Sequence, residues 1–324
     1  MFRGSASGKI ILSGEYAVVF GYPGIAVPAP FTVEATMGNT CHPERSRRAT
    51  RAVLWFDYAH HDTLTVTHHG IENENYLYRI LDAVTKITGP LSGHLTIENT
   101  IPIGLGMGSS TALVIAICRC LLEKQHSPLS CRSGRGAGGE GKNDEPKEIA
   151  AAIEDAVNPG HSGLDFAVIW EGKPVKFTKA NGPTSVDLDL SFLKKAILID
   201  TGKPNETTPE MVAWIKDNSL SPRSGFKVKG ALQTIGHCTE RLLKGEDIKE
   251  IFKAHHRAQI TLGIVPPNVQ KFITAIEESG GAAKVIGAGG RSGGGGIVLT
   301  IAKNAVTIAS SYGYRSLNTE YCLH

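Results

Sequence analysis

The spacing of apolar positions changes along the chain, and each change marks an element. Near the N-terminus "KIILSG", "YAVVFG", "GIAVPA" and "FTVEATM" are short apolar runs separated by Ser-Gly and Gly-Tyr-Pro-Gly turn signals, and each predicts a strand. "AVLWFDY" and "DTLTVTHH" predict two more. In "NENYLYRILDAVTKITG" the spacing becomes helical and stops at Gly89, placed to cap a helix C-terminus. "GHLTIEN" predicts a strand that leads into "PIGLGMGSSTALVIAICRCLL", Pro102–Leu122, where a loop with little side chain meets an apolar helix. "KEIAAAIEDAV" predicts a helix, and "LDFAVIW" and "KPVKFTK" predict strands. After "NGPTSVDLDL" come a strand, "KAILIDTG", and helices near 208–218, 226–244, 247–261 and 266–279. The closing "AAKVIGAGGRSGGGGIVLTIA" places apolar strands around a glycine run, before a short helix and a last strand. Strands mixed with helices in both halves predict an α+β fold. "CHPERSRRATR" and "SPLSCRSGRGAGGEGKNDEP" have no apolar period and read as exposed loops or insertions.

Composition narrows the class. A chain of 324 residues suits two domains at roughly 100–200 residues each, and "NGPTSVDLDL" suggests a boundary that gives 1–183 and 184–324. Hydrophobic residues at 41% and charged ones at 20% fit a soluble globular protein. A net charge of +3 creates no strong field for nucleic acid or a membrane surface, so neither is expected as a partner. No run approaches the ~18 apolar residues of a membrane span, and "MFRGSASGKIIL" lacks a signal-peptide core, so a cytoplasmic location is expected. The six cysteines form no CxxC pair, which suits a reduced compartment.

The 37 glycines are clustered, and clustered glycine allows close backbone approach. "GSASGKI" departs from a Walker-type P-loop: three residues separate its glycines, and Ile10 stands where Ser or Thr would bind Mg²⁺. "GLGMGSS" differs from both the P-loop and the Rossmann fingerprint, yet its backbone N–H groups and the start of the next helix could face an anion. A tight strand-to-helix turn explains it equally well on its own. "GAGGRSGGGG", glycine at seven of ten positions between apolar strands, shifts the balance toward a polyphosphate ligand. Among charged residues, Lys9, Glu15, Glu154 and Asp165 sit in or beside apolar segments, where a charge is costly unless it is paired or functional. His60-His61 and His68-His69 point to opposite faces of a strand and suggest no metal. His255-His256 read as solvated helix residues, and the basic "PERSRRATR" lacks the interleaved aromatics of a nucleic-acid site.

Taken together, these segments resemble the GHMP kinase superfamily, named for galacto-, homoserine, mevalonate and phosphomevalonate kinases. "GKIILSGEYAVVFGYPGIAV" resembles its first motif, "PIGLGMGSSTA" its phosphate loop and "KVIGAGGRSGGGG" its third motif. "HSGLDFAV" is similar to its P-S-G-x-D segment, and "AILIDTGKPNETTPEMVAWI" is most like the mevalonate-phosphorylating branch. The chain departs from the pattern at Tyr16, in place of that branch's histidine, at His161, in place of proline, and at Arg291-Ser292, which interrupt the third glycine run.

The resemblance implies a two-domain GHMP kinase architecture, with a ribosomal protein S5 domain 2-like N-terminal domain and a ferredoxin-like C-terminal domain. It implies ATP and Mg²⁺ as cofactors and a small-molecule acceptor, mevalonate, phosphorylated at its primary hydroxyl; it leaves a homodimer open. Pro102, Gly104, Gly106, Met107, Gly108, Ser109, Ser110 and Thr111 would form the ATP-phosphate loop. Ser110 and Glu154 would hold the metal. Asp165 would orient the acceptor hydroxyl and take its proton, with Lys9 beside it stabilising charge on the transferring phosphoryl group. Glu15, Tyr16, Ser162, Gly287, Ala288 and Gly289 would line the acceptor side. The alternatives are a phosphomevalonate kinase, with Lys203 and Arg291 for the extra phosphate, another GHMP small-molecule kinase, or a nucleotide-binding protein without catalysis. The acid at 165 argues against the last, because a pure binder needs none.

Overall fold

The computed structural model describes residues 1–38, 52–58, 62–125 and 145–317. The segment 41–51, most of 127–146 and the His60-His61 pair lie outside the described residues. The described chain is an α+β fold of two compact units. The first unit comprises Met1–Gly8, Phe31–Ile101 and Gly108–His161; the second comprises Lys9–Pro30, Pro102–Met107 and Ser162–His324. The boundary read at 183/184 falls inside the second unit.

In the first unit, strands β3 (Ala52–Tyr58), β4 (Asp62–His69), β5 (Gly93–Asn99) and the latter part of β2 (Gly24–Gly38) lie in that order. β4 runs parallel to β5, and β2 runs antiparallel to it with Ala35 opposite Ile97. Alternate residues Val33, Ala35 and Met37 are buried, as are Leu95 and Ile97, which is the period-2 pattern of a strand with one covered face. Helix α1 (Glu74–Thr88) links the parallel pair, buries Leu77, Ile80, Leu81 and Val84, and starts where Asn73 Oδ1 accepts the Tyr76 N–H. α2 (Ser109–Gln125) is buried without interruption from Thr111 to Cys118, so its apolar sequence reflects a central position. α3 (Glu145–Val157) completes the unit.

The second unit contains β1 (Phe2–Ser13) from Lys9 onward, α4 (Leu164–Glu171), and β6 (Val175–Thr178) paired with β7 (Gly182–Ser185). It also holds an antiparallel sheet in the order β11 (Arg315–Leu317), β8 (Ile197–Asp200), β10 (Ile297–Ile301), β9 (Ala282–Val285). Helices α5 (Thr208–Leu220), α6 (Gly225–Leu243), α7 (Ile248–Leu262), α8 (Pro267–Glu278) and α9 (Ala305–Ser311) accompany this sheet. Ile199, Val298 and Val285 from the strands and Met211, Leu232, Ile235 and Phe272 from the helices share one core. Among the described residues no helix is long and apolar enough to cross a membrane.

Three expectations about elements change. "YAVVFG" forms a 3₁₀ turn, Ala17–Phe20, because the backbone turns at Gly14 (φ 113°) and Tyr16 (φ 60°) and closes on a left-handed Gly21. "LDFAVIW" forms α4: a short apolar run carries no period to choose helix from strand, and left-handed glycines at 163 and 172 bound it at both ends. "GIAVPA" and "FTVEATM" join in one strand, β2, whose Pro28 and Pro30 fall between the β6 ladder at 24–26 and the β5 ladder at 33–38.

Candidate active site

In the second unit both glycine runs meet. Gly104 and Gly106 have φ of 75° and 84°, and the Met107 carbonyl accepts the Lys9 N–H at 2.9 Å. Gly106 lies against Gly287: a Cβ at 106 would stand 2.9 Å from the Ile286 carbonyl oxygen, and one at 287 would stand 2.8 Å from the Gly106 Cα. Positive φ and backbone contact thus both require glycine there. The Ile297 N–H donates to the Leu105 carbonyl at 3.3 Å and ties the first loop to β10.

Lys9 is buried on β1, and its Nζ lies 3.2 Å from Asp165 Oδ1. The two carboxyl and ammonium groups differ in access: the Asp165 side chain is 34% exposed, that of Lys9 only 4%. Asp165 stands in the first turn of α4, where the helix dipole favours a negative charge. Ser162 precedes it, with Oγ accepting the Leu164 N–H at 3.3 Å. The pairing of Lys9 with Asp165 joins residues far apart in sequence, and it leaves an accessible carboxylate beside a fixed ammonium.

Glu15 is enclosed. Its Oε1 accepts from the Lys284 ammonium, and its Oε2 lies 3.0 Å from His255 Nε2. Burial raises its pKa, but the Lys284 charge and His255 outweigh that and bring it down to about 2. Lys284 also donates to the Ile11 carbonyl at 3.0 Å. His255 and His256 are both buried, contrary to the solvated reading, because α7 turns them inward beside α6 and β9. Tyr16 is buried, and its hydroxyl donates to the Ala288 carbonyl at 2.5 Å. The third glycine run is held again at its tip. Glu206 accepts the N–H groups of Arg291 (2.9 Å) and Ser292 (3.3 Å) and the Ser292 hydroxyl (2.8 Å). The Arg291 guanidinium lies 3.8 Å over the Trp214 ring, and the Lys203 stem covers Gly104.

In the first unit Gly108 (φ 75°) opens α2, and its carbonyl accepts the Ala112 N–H at 3.0 Å. Ser109 and Ser110 form the first turn, with Ser110 exposed. Thr111 is turned inward, and its hydroxyl donates to Glu154 Oε1 at 2.7 Å. Glu154, on α3, is buried at 1% exposure, and its charge reaches its neighbours. Burial first and Glu154 second push the Tyr76 hydroxyl up, and the same causes push the Cys118 thiol up to about 12. The Tyr76 hydroxyl accepts from Asn158 Nδ2 at 2.7 Å and donates to the Ser110 carbonyl at 3.5 Å. His161 pairs with Asp155 at 2.7 Å on the exterior.

Among the described residues no group of three or more His, Cys, Asp or Glu side chains converges as a metal site. One buried carboxylate and one exposed hydroxyl, both hard oxygen donors, do fit Mg²⁺, which is commonly held by one or two carboxylates together with phosphate oxygens and water. Sequence reasoning passed over Lys284, Tyr76 and Asn158 and set His255 aside as solvated. Lys284 had a signal, a lone lysine inside the apolar "AAKVIG"; Tyr76 and Asn158 had none, because their roles arise where three helices meet.

Residues 75–172 match the family model described as "GHMP kinases N terminal domain". The α+β fold accords with that class. Within it, the mevalonate kinase of Archaeoglobus fulgidus is 25% identical over 291 residues, 88% of either chain. The mevalonate kinase of Dictyostelium discoideum is 26% identical over an alignment of 351 positions, covering 94% of this chain and 88% of the relative. The crystal structure of Methanococcus jannaschii mevalonate kinase shares the fold at a TM-score of 0.70, with 18% identity over 98% of this chain and 96% of that one.

Proposed function

We propose that the chain is an ATP- and Mg²⁺-dependent kinase that phosphorylates the primary hydroxyl of mevalonate to give 5-phosphomevalonate, an isoprenoid precursor. The observation that carries the reading is the Lys9–Asp165 pair, a 3.2 Å contact that leaves the carboxylate one-third exposed. Asp165 accepts a hydrogen bond from the acceptor hydroxyl, orients its oxygen and takes its proton. Lys9, held by β1, stabilises the carboxylate and the negative charge of the transferring phosphoryl group. Phosphoryl transfer asks for positioning and charge neutralisation more than for covalent chemistry, and this pair supplies both.

Backbone N–H groups of Gly104, Gly106, Gly108 and Ser109 would hold the ATP phosphates, whose charge the start of α2 would favour. Glu154 and Ser110 would hold Mg²⁺, which when bound neutralises phosphate charge. Thr111 keeps Glu154 oriented through its 2.7 Å hydrogen bond. Residues 1–183 carry the ATP contacts in this reading, and 184–324 supply the Gly287–Gly289 loop beside the acceptor. A cytoplasmic enzyme with no nucleic-acid or membrane partner completes it.

The second reading, phosphomevalonate as acceptor, draws on Tyr16 and on two cations near glycine backbone, Lys203 and Arg291. ADP release measured with mevalonate, phosphomevalonate, homoserine and galactose separates these outcomes. Turnover with mevalonate alone is expected. Turnover with phosphomevalonate alone transfers the assignment to the second reading, and no turnover with any acceptor points to a nucleotide-binding protein.

A further inference from the structure

Among the described residues Tyr16 is the one non-glycine with a positive φ, 60°. A bulky residue persists there only where its surroundings over-determine it. The surroundings are unusual too. The residue before it, Glu15, is sealed from water at 1% side-chain exposure, with Lys284 and His255 on its two oxygens, both at 0%. Lys284 reaches back to the Ile11 carbonyl, two residues beyond Lys9 on β1. On the far side of the turn, the Tyr16 hydroxyl takes the Ala288 carbonyl in the third glycine run.

We infer that Lys284 and His255 are positioning residues: they hold Glu15, and through it the strained Tyr16, so that the Tyr16 hydroxyl fixes Ala288 and sets the loop that borders the acceptor. The inference rests on the proposed placement of Gly287–Gly289 beside the acceptor. A buried ion pair is weak as a source of stability, because desolvation offsets most of its attraction. A role in fixing one conformation accounts better for three charged or polar groups here. Burial, followed by the Glu15 charge, pushes the Tyr16 phenol far up, so it stays protonated and remains the donor to Ala288.

The test uses the full chain with Tyr16→Phe, which removes only the hydroxyl, and with the pair Glu15→Gln/Lys284→Met, which removes both charges without stranding one. Amide hydrogen exchange reads the loop without any substrate. Residues 287–290 are expected to exchange at least tenfold faster in both variants, while the β10 amides 297–301 keep their protection. Steady-state kinetics then reads the consequence. KM for mevalonate is expected to rise about tenfold in both variants, with KM for ATP within twofold of wild type. Combining all three substitutions is expected to add little to either defect, because they loosen one contact. Unchanged exchange at 287–290 overturns the inference, as does faster exchange with an unaltered acceptor KM. A wild-type chain inactive on mevalonate counts against the proposed function alone, since the exchange measurement still decides the clamp.

Discussion

Lys9 with Asp165 and Lys284 with Glu15 are the same pair of groups in the same unit, in opposite surroundings. Asp165 keeps a third of its side chain in solvent, whereas Glu15 is closed off on all sides. A carboxylate that chemistry must reach has to be accessible to the substrate, and one that holds backbone in place has to exclude water. The two lysines differ less, since both are buried. In the proposed reading, what separates the reacting pair from the positioning pair is the exposure of the acid.

The largest expected effect breaks the exposed pair. Asp165→Asn should lower turnover by about 10²–10⁴, or roughly 3–5 kcal/mol of barrier, while ATP affinity and the thermal midpoint stay near wild type. Turnover close to wild type would remove Asp165 from its role. The sealed pair should respond in the opposite way. Lys284→Met alone strands the Glu15 charge and should cost about 3–5 kcal/mol of stability, seen in urea unfolding, and the second substitution Glu15→Gln should return most of it. Equal losses for the single and double variants would contradict the pairing.

Stability should also depend on pH where turnover chemistry has no part. Burial first, then the charges of His255 and Arg257, bring His256 from 6.5 down to about 4. The unfolded chain therefore binds this proton more readily. The contribution is complete above pH 6.5 and is lost as pH falls toward 4, on the order of 3 kcal/mol. Glu15, down at about 2 against an ordinary 4.5, adds a loss that begins only below pH 4.5. Urea midpoints between pH 7 and pH 4 check the sign, and His256→Gln should flatten the curve above pH 4.5.

Smaller effects complete the series. Ser110→Ala should raise the Mg²⁺ concentration needed for half-maximal ADP release several-fold, and an unchanged titration would exclude Ser110 as a ligand. Lys86–Asp82, at 2.7 Å but exposed on both sides, is the third kind of pair. Lys86→Ala should cost less than about 0.5 kcal/mol, which sets the scale against which the sealed pair is read.

Much of this was legible in the sequence because local rules govern it. The helical period over 74–88, the long helices after residue 200 and the glycine runs at 104–108 and 287–296 follow from spacing and from the need for positive φ. "LDFAVIW" reads as a strand but folds as a helix because six apolar residues around one acid carry no period, and only the glycine conformations at 163 and 172 settle it. His255 and His256 were misread because an α7 position does not state which neighbour will cover it.

The sequence by itself carried the resemblance to the class: the glycine runs and the segments around residues 9 and 165 are legible from backbone freedom and charge, which are properties of single residues and short spacings. The tertiary structure alone decided which lysine met which carboxylate. Lys9 and Lys284 are both lone cations in apolar strands, and only the packing of α4, α7 and β9 leaves one acid open to solvent and seals the other, because Glu15 is covered by His255 and Lys284, both more than two hundred residues away.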